Sequence, residues 1–352
     1  MRRRGFLAGA LALGACDRSV GAPAAPVHIP PLKSAAPFPV GAAVQAAQLA
    51  DPAFAALAAA QVSQLTPEWE MKMEYICRDD GGFRFEAPDA IATFARAHGQ
   101  RLFGHTLVWY AQSPPAFERL DESRQRFADA YRNYILAVVG RYRGQAVGWD
   151  VVNEAVAEDG AGWRDSLWSR RLGKLDHMVR AFEHAREADP AAVLFLNDYN
   201  LENLPAKRVT FLKLAEALMV AGAPLGGVGT QTHIAADLAP GELTRAIKDI
   251  ASLGLPVHIS EMDVSLARAK GYPLGRGELG ARQARLYAEG AEAFLGLPRR
   301  QQFAFTHWGL RDGDSWLKRE NATDTPLLFD DAGKAKPAAK AWVEAVGTGE
   351  RA

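Results

Sequence analysis

The stretch Val147-Gly148-Trp149-Asp150-Val151-Val152-Asn153-Glu154-Ala155 is mostly apolar and carries an asparagine and a glutamate at its end. A short apolar run of this kind is typical of a strand that is buried on both faces in a parallel sheet. Similar runs recur between residues 38 and 310. The eight predicted strands are Phe38–Val44, Val62–Pro67, Arg101–Trp109, Val147–Ala155, Val193–Asn200, Gly227–Ile234, Pro256–Val264 and Gln302–Leu310.

Amphipathic stretches separate these runs, and Ser123–Arg143 is the clearest of them. Its apolar residues recur at helix spacing, at Phe127, Ala130, Tyr131, Tyr134, Ile135 and Val138. Strands that alternate with helices indicate an α/β protein with a parallel sheet. Eight such units over roughly 310 residues match a closed (β/α)8 TIM barrel, here a single domain, better than an open sheet. The glycine-rich dinucleotide turn of open sheets is missing, since Gly226-Gly227-Val228-Gly229 lies inside a strand and precedes no helix.

The charge balance excludes one class of partner. Of the 352 residues, 41 are Lys or Arg and 41 are Asp or Glu, so the formal net charge is zero. A basic surface for nucleic acid is therefore not expected. A neutral polymer could approach such a surface without electrostatic repulsion.

Residues 1–16 resemble an export signal. Arg3-Arg4-Gly5-Phe6-Leu7 resembles a twin-arginine signal, and Leu13-Gly14-Ala15-Cys16 resembles a bacterial lipobox with Cys16 as the lipid attachment site. The alternative is an ordinary secretory signal in which Cys16 falls near the cleavage site by chance. We expect an exported protein, periplasmic or on the cell surface, with a lipid anchor in the membrane.

The rest of the chain divides into a tether and a barrel. Residues 17–39 are rich in proline and alanine and predict a stiff tether, so the catalytic barrel is expected at residues 40–346. With Cys16 acylated, Cys77 is the one remaining cysteine and no intramolecular disulfide is expected. We also expect a monomer.

Polar and aromatic side chains accumulate where seven of the predicted strands end. Carboxyl ends of barrel strands meet at one face, where barrel enzymes have their active sites. Any one of these ends could be a capped loop, but together they predict a site. They read Glu68-Trp69-Glu70-Met71-Lys72, His105-Thr106-Leu107-Val108-Trp109, Asn153-Glu154, Asn197-Asp198-Tyr199-Asn200, Gln231-Thr232-His233, Glu261-Met262-Asp263 and His307-Trp308.

These groups favour acetal chemistry over the other common hydrolytic mechanisms. The sequence has no Gly-x-Ser-x-Gly nucleophile and no His-Glu-x-x-His or His-x-His metal motif, so neither a metal ion nor a cofactor is expected. Paired carboxylates hydrolyse glycosidic bonds, one as the proton donor and one as the nucleophile. Indole rings offer flat faces for sugar rings, and amides bind hydroxyl groups. The residues therefore predict a glycosidase.

Several of these stretches resemble the signature motifs of family 10 glycoside hydrolases, the endo-β-1,4-xylanase family. They are Trp149-Asp150-Val151-Val152-Asn153-Glu154, Glu261-Met262-Asp263, Gly104-His105-Thr106-Leu107-Val108-Trp109, Asn197-Asp198-Tyr199-Asn200 and Ser315-Trp316-Leu317, in order from residue 38 to about 345. The resemblance implies a retaining enzyme that cleaves xylan or xylo-oligosaccharides, with Glu154 as acid/base and Glu261 as nucleophile. Asn153 would bind the 2-hydroxyl of the sugar.

The resemblance also implies the remaining substrate-binding residues. Gln231, His233 and Asp263 lie on the strands beside Glu261, and we expect a Glu261–His233–Asp263 network that keeps the nucleophile ionised. Trp163, Trp168 and Trp342 are expected to pack away from the site. The glycone side of the cleft, which holds the non-reducing part of the substrate, would be lined by Glu68, Lys72, His105, Trp109, Gln112, Tyr199, Trp308 and Trp316.

The sequence departs from the family at two positions. Trp69 replaces a usual asparagine that binds the second glycone sugar, and Tyr110 replaces a usual histidine. An indole at Trp69 could stack on a sugar or close off the cleft. The alternatives to a xylanase are another retaining β-1,4-glycosidase, such as a glucanase or an aryl xylosidase, and an inactive, lipid-anchored glycan-binding protein. The presence of both Glu154 and Glu261 argues against the inactive protein.

Overall fold

The computed structural model describes residues 27–120, 123–270 and 275–347. The predicted export signal, the acylated Cys16 and the first part of the tether lie outside the described residues. Within those residues, no helix combines the length and the apolar character that a membrane crossing requires.

Eight parallel strands form a closed barrel, as predicted. Each strand pairs in parallel with the next along the chain, and the first strand pairs with the last, with Val40 opposite Phe305. The barrel therefore has no free edge. The strands are β1 Val40–Val44, β2 Gln64–Pro67, β3 Arg101–Gly104, β4 Ala146–Asn153, β5 Val193–Asp198, β6 Gly227–Thr230, β7 Val257–Ser265 and β8 Gln302–His307.

Two predicted strands are divided at the mouth of the barrel. The run Arg101–Trp109 becomes β3 and a short strand, Val108–Trp109, that pairs with β4. The run Gly227–Ile234 becomes β6 and His233–Ala235, which pairs with β7, because Thr232 between them has a left-handed backbone with φ 61°.

Helices cover the outside of the barrel and bury their apolar faces against it. Arg124–Arg141 begins at Ser123, whose hydroxyl accepts a hydrogen bond from the Arg126 amide at 3.3 Å, and it buries the predicted apolar face. The other α-helices are Leu32–Ala35, Ala46–Leu49, Pro52–Gln61, Met73–Ile76, Glu86–Ala97, Pro115–Glu118, Leu167–Leu172, Asp176–Ala188, Pro205–Val220, Glu242–Ala251, Arg276–Leu295 and Pro337–Gly347. Short 3-10 helices span Arg299–Gln301, Asp312–Asp314 and Trp316–Arg319.

The packed part of the chain begins earlier than predicted. Leu32 is fully buried, its amide donates to Gln61 Oε1 at 3.1 Å, and Lys33 Nζ donates to the Ala59 carbonyl at 2.6 Å. Phe38 packs edge-to-face on Phe294. The predicted boundary at residue 39 is therefore too late, since residues assigned to the tether cover the bottom of the helical layer.

Candidate active site

A cleft crosses the carboxyl ends of the strands. Two cavities of about 570 and 510 Å³ lie along it and share Lys72, Trp109, Trp308 and Trp316. The first is lined in addition by Glu68, Trp69, Glu74, Tyr75, Arg84, Gln112 and Arg319. The second is lined in addition by His105, Tyr110, Asn153, Glu154, Tyr199, Asn200, Gln231, His233, Glu261 and Arg268.

Glu261 stands on β7 at the centre of the cleft and is almost fully buried. Asn197 Nδ2 donates to its Oε1 at 2.9 Å, and His233 Nε2 lies 3.3 Å from its Oε2. Burial by itself would raise the pKa of Glu261, but His105, His233 and Lys72 together bring that pKa below its ordinary range. The carboxylate is therefore held in its charged form.

His233 lies between two carboxylates, as predicted. Its Nδ1 is 2.9 Å from Asp263 Oδ2, on the far side of the ring from Glu261. Burial opposes the charged ring, yet Asp263 and Glu261 raise the pKa of His233 to about 10. Trp316 Nε1 donates to the same Asp263 oxygen at 2.8 Å, which fixes the indole at the wall of the cleft. The raised pKa favours the charged ring, which is hydrogen-bonded to Glu261 through Nε2 and forms an ion pair with Asp263 through Nδ1.

His105 forms a second buried link behind Glu261. Its Nδ1 is 2.9 Å from Asp150 Oδ2 and 3.9 Å from Glu261 Oε1. Burial raises the pKa of Asp150 to about 6, although the hydrogen bond with His105 opposes the increase. Among the described residues, these three are the one group close enough to hold a metal ion. Because His105 is hydrogen-bonded to Asp150 and lies 3.9 Å from Glu261, we interpret the group as a buried hydrogen bond beside a charge contact.

Glu154 follows β4 and has an unusual backbone conformation for a residue with a side chain. Its φ is 59°, in the left-handed region, and its amide donates to the Asn197 carbonyl at 2.8 Å. Its Oε1 accepts from Gln231 Nε2 at 2.9 Å and from Asn153 Nδ2 at 3.2 Å. The side chain is therefore oriented by neutral amides, in contrast with the charged partners of Glu261.

Three amides connect the two glutamates. Asn153 Oδ1 accepts from Asn197 Nδ2 at 3.0 Å and from Gln231 Nε2 at 3.2 Å. Asn197 also binds Glu261, and Gln231 also binds Glu154. Glu154, Gln231, Asn153, Asn197 and Glu261 thus form one continuous chain of hydrogen bonds along the floor of the cleft.

The end of the cleft beyond Glu261 holds most of the predicted glycone residues. Glu68 accepts from Gln45 Nε2 at 2.9 Å, and burial raises its pKa. Lys72 Nζ lies 4.6 Å from the centre of the Trp109 ring. Trp69 is 41% exposed and packs edge-to-face on Tyr75. Its indole therefore stands at the rim of the first cavity, next to Glu68 and Lys72.

Tyr199 lines only the second of the two cavities, as His105 does, whereas the other predicted glycone residues line the first. It follows β5 beside Glu154, and its hydroxyl donates to Glu158 and accepts from Arg164 Nη2 at 3.1 Å. It lines the second cavity and not the one formed by Glu68, Trp69 and Gln112. The end of β5 is adjacent to the end of β4, which places Tyr199 at the Glu154 end of the cleft.

Asn197, Arg164 and Arg268 are among the residues at the site that were not predicted as site residues. Asn197 lies in a motif that the sequence singled out, and it shares a strand face with Tyr199, a spacing that could have revealed it. Arg164 and Arg268 come from loops with no motif. The guanidinium of Arg268 lies 4.8 Å from the Trp316 ring centre. Trp168 and Trp342 are buried in the packing as predicted, while Trp163 is half-buried in a loop.

One glutamate of the cleft is thus an ionised carboxylate beside two histidines, and the other lies among neutral amides. That division of charge suits the cleavage of an acetal by double displacement. The fold and the cleft together indicate the class of glycoside hydrolases built on a (β/α)8 barrel.

Comparison with known proteins identifies the family. The chain belongs to glycosyl hydrolase family 10, whose model matches residues 32–345. It is 37% identical over 306 residues to endo-1,4-beta-xylanase B of Paenibacillus barcinonensis, covering 83% of this chain and 91% of that protein. The crystal structure of native xylanase 10B from Thermotoga maritima matches with a TM-score of 0.82 at 29% identity, covering 90% of this chain and 98% of that one.

Longer relatives also match. Endo-1,4-beta-xylanase A of Thermoanaerobacterium saccharolyticum is 35% identical over 321 residues, which are 87% of this chain. The chain spans 27% and 28% of the length of the first two curated relatives that it matches.

Proposed function

We propose that this chain is a retaining endo-β-1,4-xylanase, with Glu261 as nucleophile and Glu154 as acid/base. The observation that carries the proposal is the difference between the two glutamates. Glu261 is kept ionised by cations, which a nucleophile requires. Glu154 is bound by Gln231 and Asn153 and is free of an ion pair among the contacts of the described residues.

The reaction follows from these states in two steps. The Glu261 carboxylate attacks the anomeric carbon, the bond from that carbon to the leaving oxygen breaks, and Glu154 gives its proton to that oxygen. Water then gives a proton to the Glu154 carboxylate and attacks the anomeric carbon, and the bond to Glu261 breaks. The configuration at the anomeric carbon inverts in each of the two steps, so the product keeps the β configuration.

Xylose is a better fit than glucose as the sugar at the cleavage site. The two differ by a hydroxymethyl group, so the question is the space around the ring. Trp308 is almost fully buried and packs edge-to-face on His105 and near His233, which leaves its indole little freedom to move. Family membership and the xylanases among the relatives support the same choice.

We further propose that the protein is exported and held in a membrane by a lipid on Cys16. The support is the sequence alone, in the twin-arginine and lipobox patterns of residues 1–16. Cys16→Ser should abolish labelling by a fatty acid and move the protein to the soluble fraction, with Cys77→Ser as the matched control. A wild-type protein that takes up no fatty acid would leave only the secretory interpretation.

The activity is tested on linear xylan, on glucuronic-acid-decorated xylan and on cellulose. Proton NMR of the reaction on xylohexaose should show the β-anomer of the new reducing end before mutarotation. Hydrolysis of cellulose at a rate comparable with that of xylan would favour the glucanase alternative. An α-anomer that appears first would exclude the two-step mechanism.

A further inference from the structure

Arg164 lies behind Glu154 and contacts three parts of the site at once. Its Nε donates to the Glu154 backbone carbonyl at 3.0 Å, and its Nη2 donates to the Tyr199 hydroxyl at 3.1 Å. Its guanidinium carbon is 4.0 Å from the centre of the Tyr110 ring. The side chain is only 15% exposed, so these contacts are shielded from water. A planar guanidinium can make all three contacts together, which an ammonium cannot.

A folded-back loop brings Arg164 to this place. The Arg164 amide donates to the Ala155 carbonyl at 2.7 Å, and Val156 pairs with Trp163 in an antiparallel bridge. The main chain and the side chain of Arg164 therefore bind two consecutive carbonyls, those of Ala155 and Glu154. The end of β4 is held from both sides, because the Glu154 amide is already bonded to β5.

Glu154 needs such support. Its left-handed φ of 59° is uncommon for a residue with a side chain and persists only where the surroundings fix it. A rotation of the peptide after Glu154 would carry the carboxyl group away from Gln231. A proton donor must stay within hydrogen-bonding reach of the atom it protonates, so a small rotation would slow the transfer.

We propose that Arg164 is a positioning residue for proton transfer. Its guanidinium, held between Tyr110 and Tyr199, fixes the backbone of Glu154. The proposal rests on the acid/base role of Glu154. The guanidinium of Arg164 lies on the ring of Tyr110, at a position where the family usually has histidine. Tyr110 would therefore serve in this chain to hold Arg164 in place. Arg164 itself touches neither the leaving oxygen nor the nucleophile.

The test compares two β-xylobiosides that differ in their leaving group. Dinitrophenolate leaves without protonation, whereas methanol needs a proton from the enzyme. Arg164→Met should lower kcat/KM for methyl β-xylobioside by about tenfold to a hundredfold, the range for a misplaced reacting group. For the dinitrophenyl substrate, kcat/KM should fall by less than about threefold. Arg164→Lys should resemble Arg164→Met, because one ammonium cannot bind both the carbonyl and the phenol.

The controls separate the possible failures. Glu154→Ala must show the same dependence on the leaving group, with a larger difference between the two substrates. If that dependence is absent, the acid/base role of Glu154 is refuted. If Glu154→Ala shows this dependence on the leaving group but Arg164→Met lowers kcat/KM equally for both substrates, Arg164 is merely structural and the proposal is overturned. Arg170→Met removes an exposed arginine of the next helix and should leave kcat/KM for both substrates unchanged. If Arg164→Met does not fold, Tyr199→Phe, which removes one anchor of the guanidinium, should show a weaker form of the same dependence, and equal losses would overturn the proposal.

Discussion

At the scale of single residues, the charge on His233 acts with His105 and Lys72 to keep Glu261 ionised. The histidine lies 3.3 Å from the nucleophile and 2.9 Å from Asp263, and its pKa of about 10 keeps it protonated through the neutral range. A carboxylate beside a permanent cation stays ionised at lower pH than it would alone. The cation is lost only as the pH rises through about 10.

His233→Gln should therefore move the acid limb of the pH profile of kcat/KM to higher pH. The substitution supplies a hydrogen-bonding amide and removes the charge, so the pKa of Glu261 rises. As the pH falls, Glu261 is then protonated, and loses its nucleophilicity, at a higher pH than in the wild type. The profile is measured with the dinitrophenyl xylobioside, whose cleavage does not need the acid. His98→Gln, at an exposed histidine outside the cleft, should leave the limb where it is. An unmoved limb in His233→Gln would mean that other groups set the charge of Glu261.

We propose that Trp69 governs sugar binding at the end of the cleft lined by Glu68 and Lys72. It is exposed at the rim, and Tyr75 supports its ring from one side while Arg84 lies over Tyr75. If the free face stacks on a sugar, Trp69→Ala should raise KM for xylotriosides by up to about tenfold, the value of one aromatic contact. Turnover of aryl xylosides, which do not reach the rim, serves as the internal control. A gain in activity on long xylan would show that the indole closes the cleft instead.

Residues in motifs could be predicted from the sequence, and residues from unpatterned loops could not. Glu154, Glu261 and His233 follow apolar runs whose ends must meet in a barrel, so their proximity follows from topology. Arg164 contacts Glu154 only because the intervening loop folds back, and no periodicity records that turn. Tyr199 lies beside Glu154 because the ends of β4 and β5 are adjacent, whereas its hydroxyl contacts with Glu158 and Arg164 cannot be derived from the sequence.

At the scale of elements, the loop that carries Arg164 depends on one glycine. Gly160 has a φ of 73°, and a Cβ there would lie 2.6 Å from the Lys207 amide nitrogen at the start of the helix Pro205–Val220. The Thr210 hydroxyl also donates to the Gly160 carbonyl at 2.6 Å. The loop is thereby fixed against the helix that follows β5.

Gly160→Ala should lower the free energy of unfolding by about 1–3 kcal/mol, from the strained φ and the contact with backbone atoms that cannot move aside. Gly162→Ala in the same loop is the matched control, since a Cβ there meets open space. Urea denaturation of both variants gives the comparison. Equal stabilities would mean that the loop is free to shift away from the helix.

The boundaries of elements show where the sequence was misleading. Predicted strands continued past the true ends of β4, β5 and β8, because the residues that form the site are apolar or aromatic enough to extend the run. The prolines before residue 40 suggested a tether and concealed the burial of Leu32. Composition describes a segment as a whole, whereas burial depends on a partner surface elsewhere in the chain.

At the scale of the whole molecule, closing the sheet is what assembles the site. The glutamates lie on β7 and directly after β4, and the amides that connect them belong to β4, β5 and the segment after β6. Each strand needs its two neighbours in parallel register for this chain of hydrogen bonds to form. The count of eight strand–helix units was enough to predict the barrel, and the barrel placed the two glutamates at the same rim.

The mechanism requires a covalent bond between Glu261 and the sugar, and the decisive experiment is to trap that bond. A 2-deoxy-2-fluoro-β-xylobioside with a dinitrophenyl leaving group should react once, because the fluorine slows both steps and the good leaving group restores the rate of only the first. We expect the mass of the protein to rise by one fluoroxylobiosyl group and peptide mapping to place that group on Glu261. A label on any other residue, or hydrolysis with no covalent species and an α-product, would contradict it.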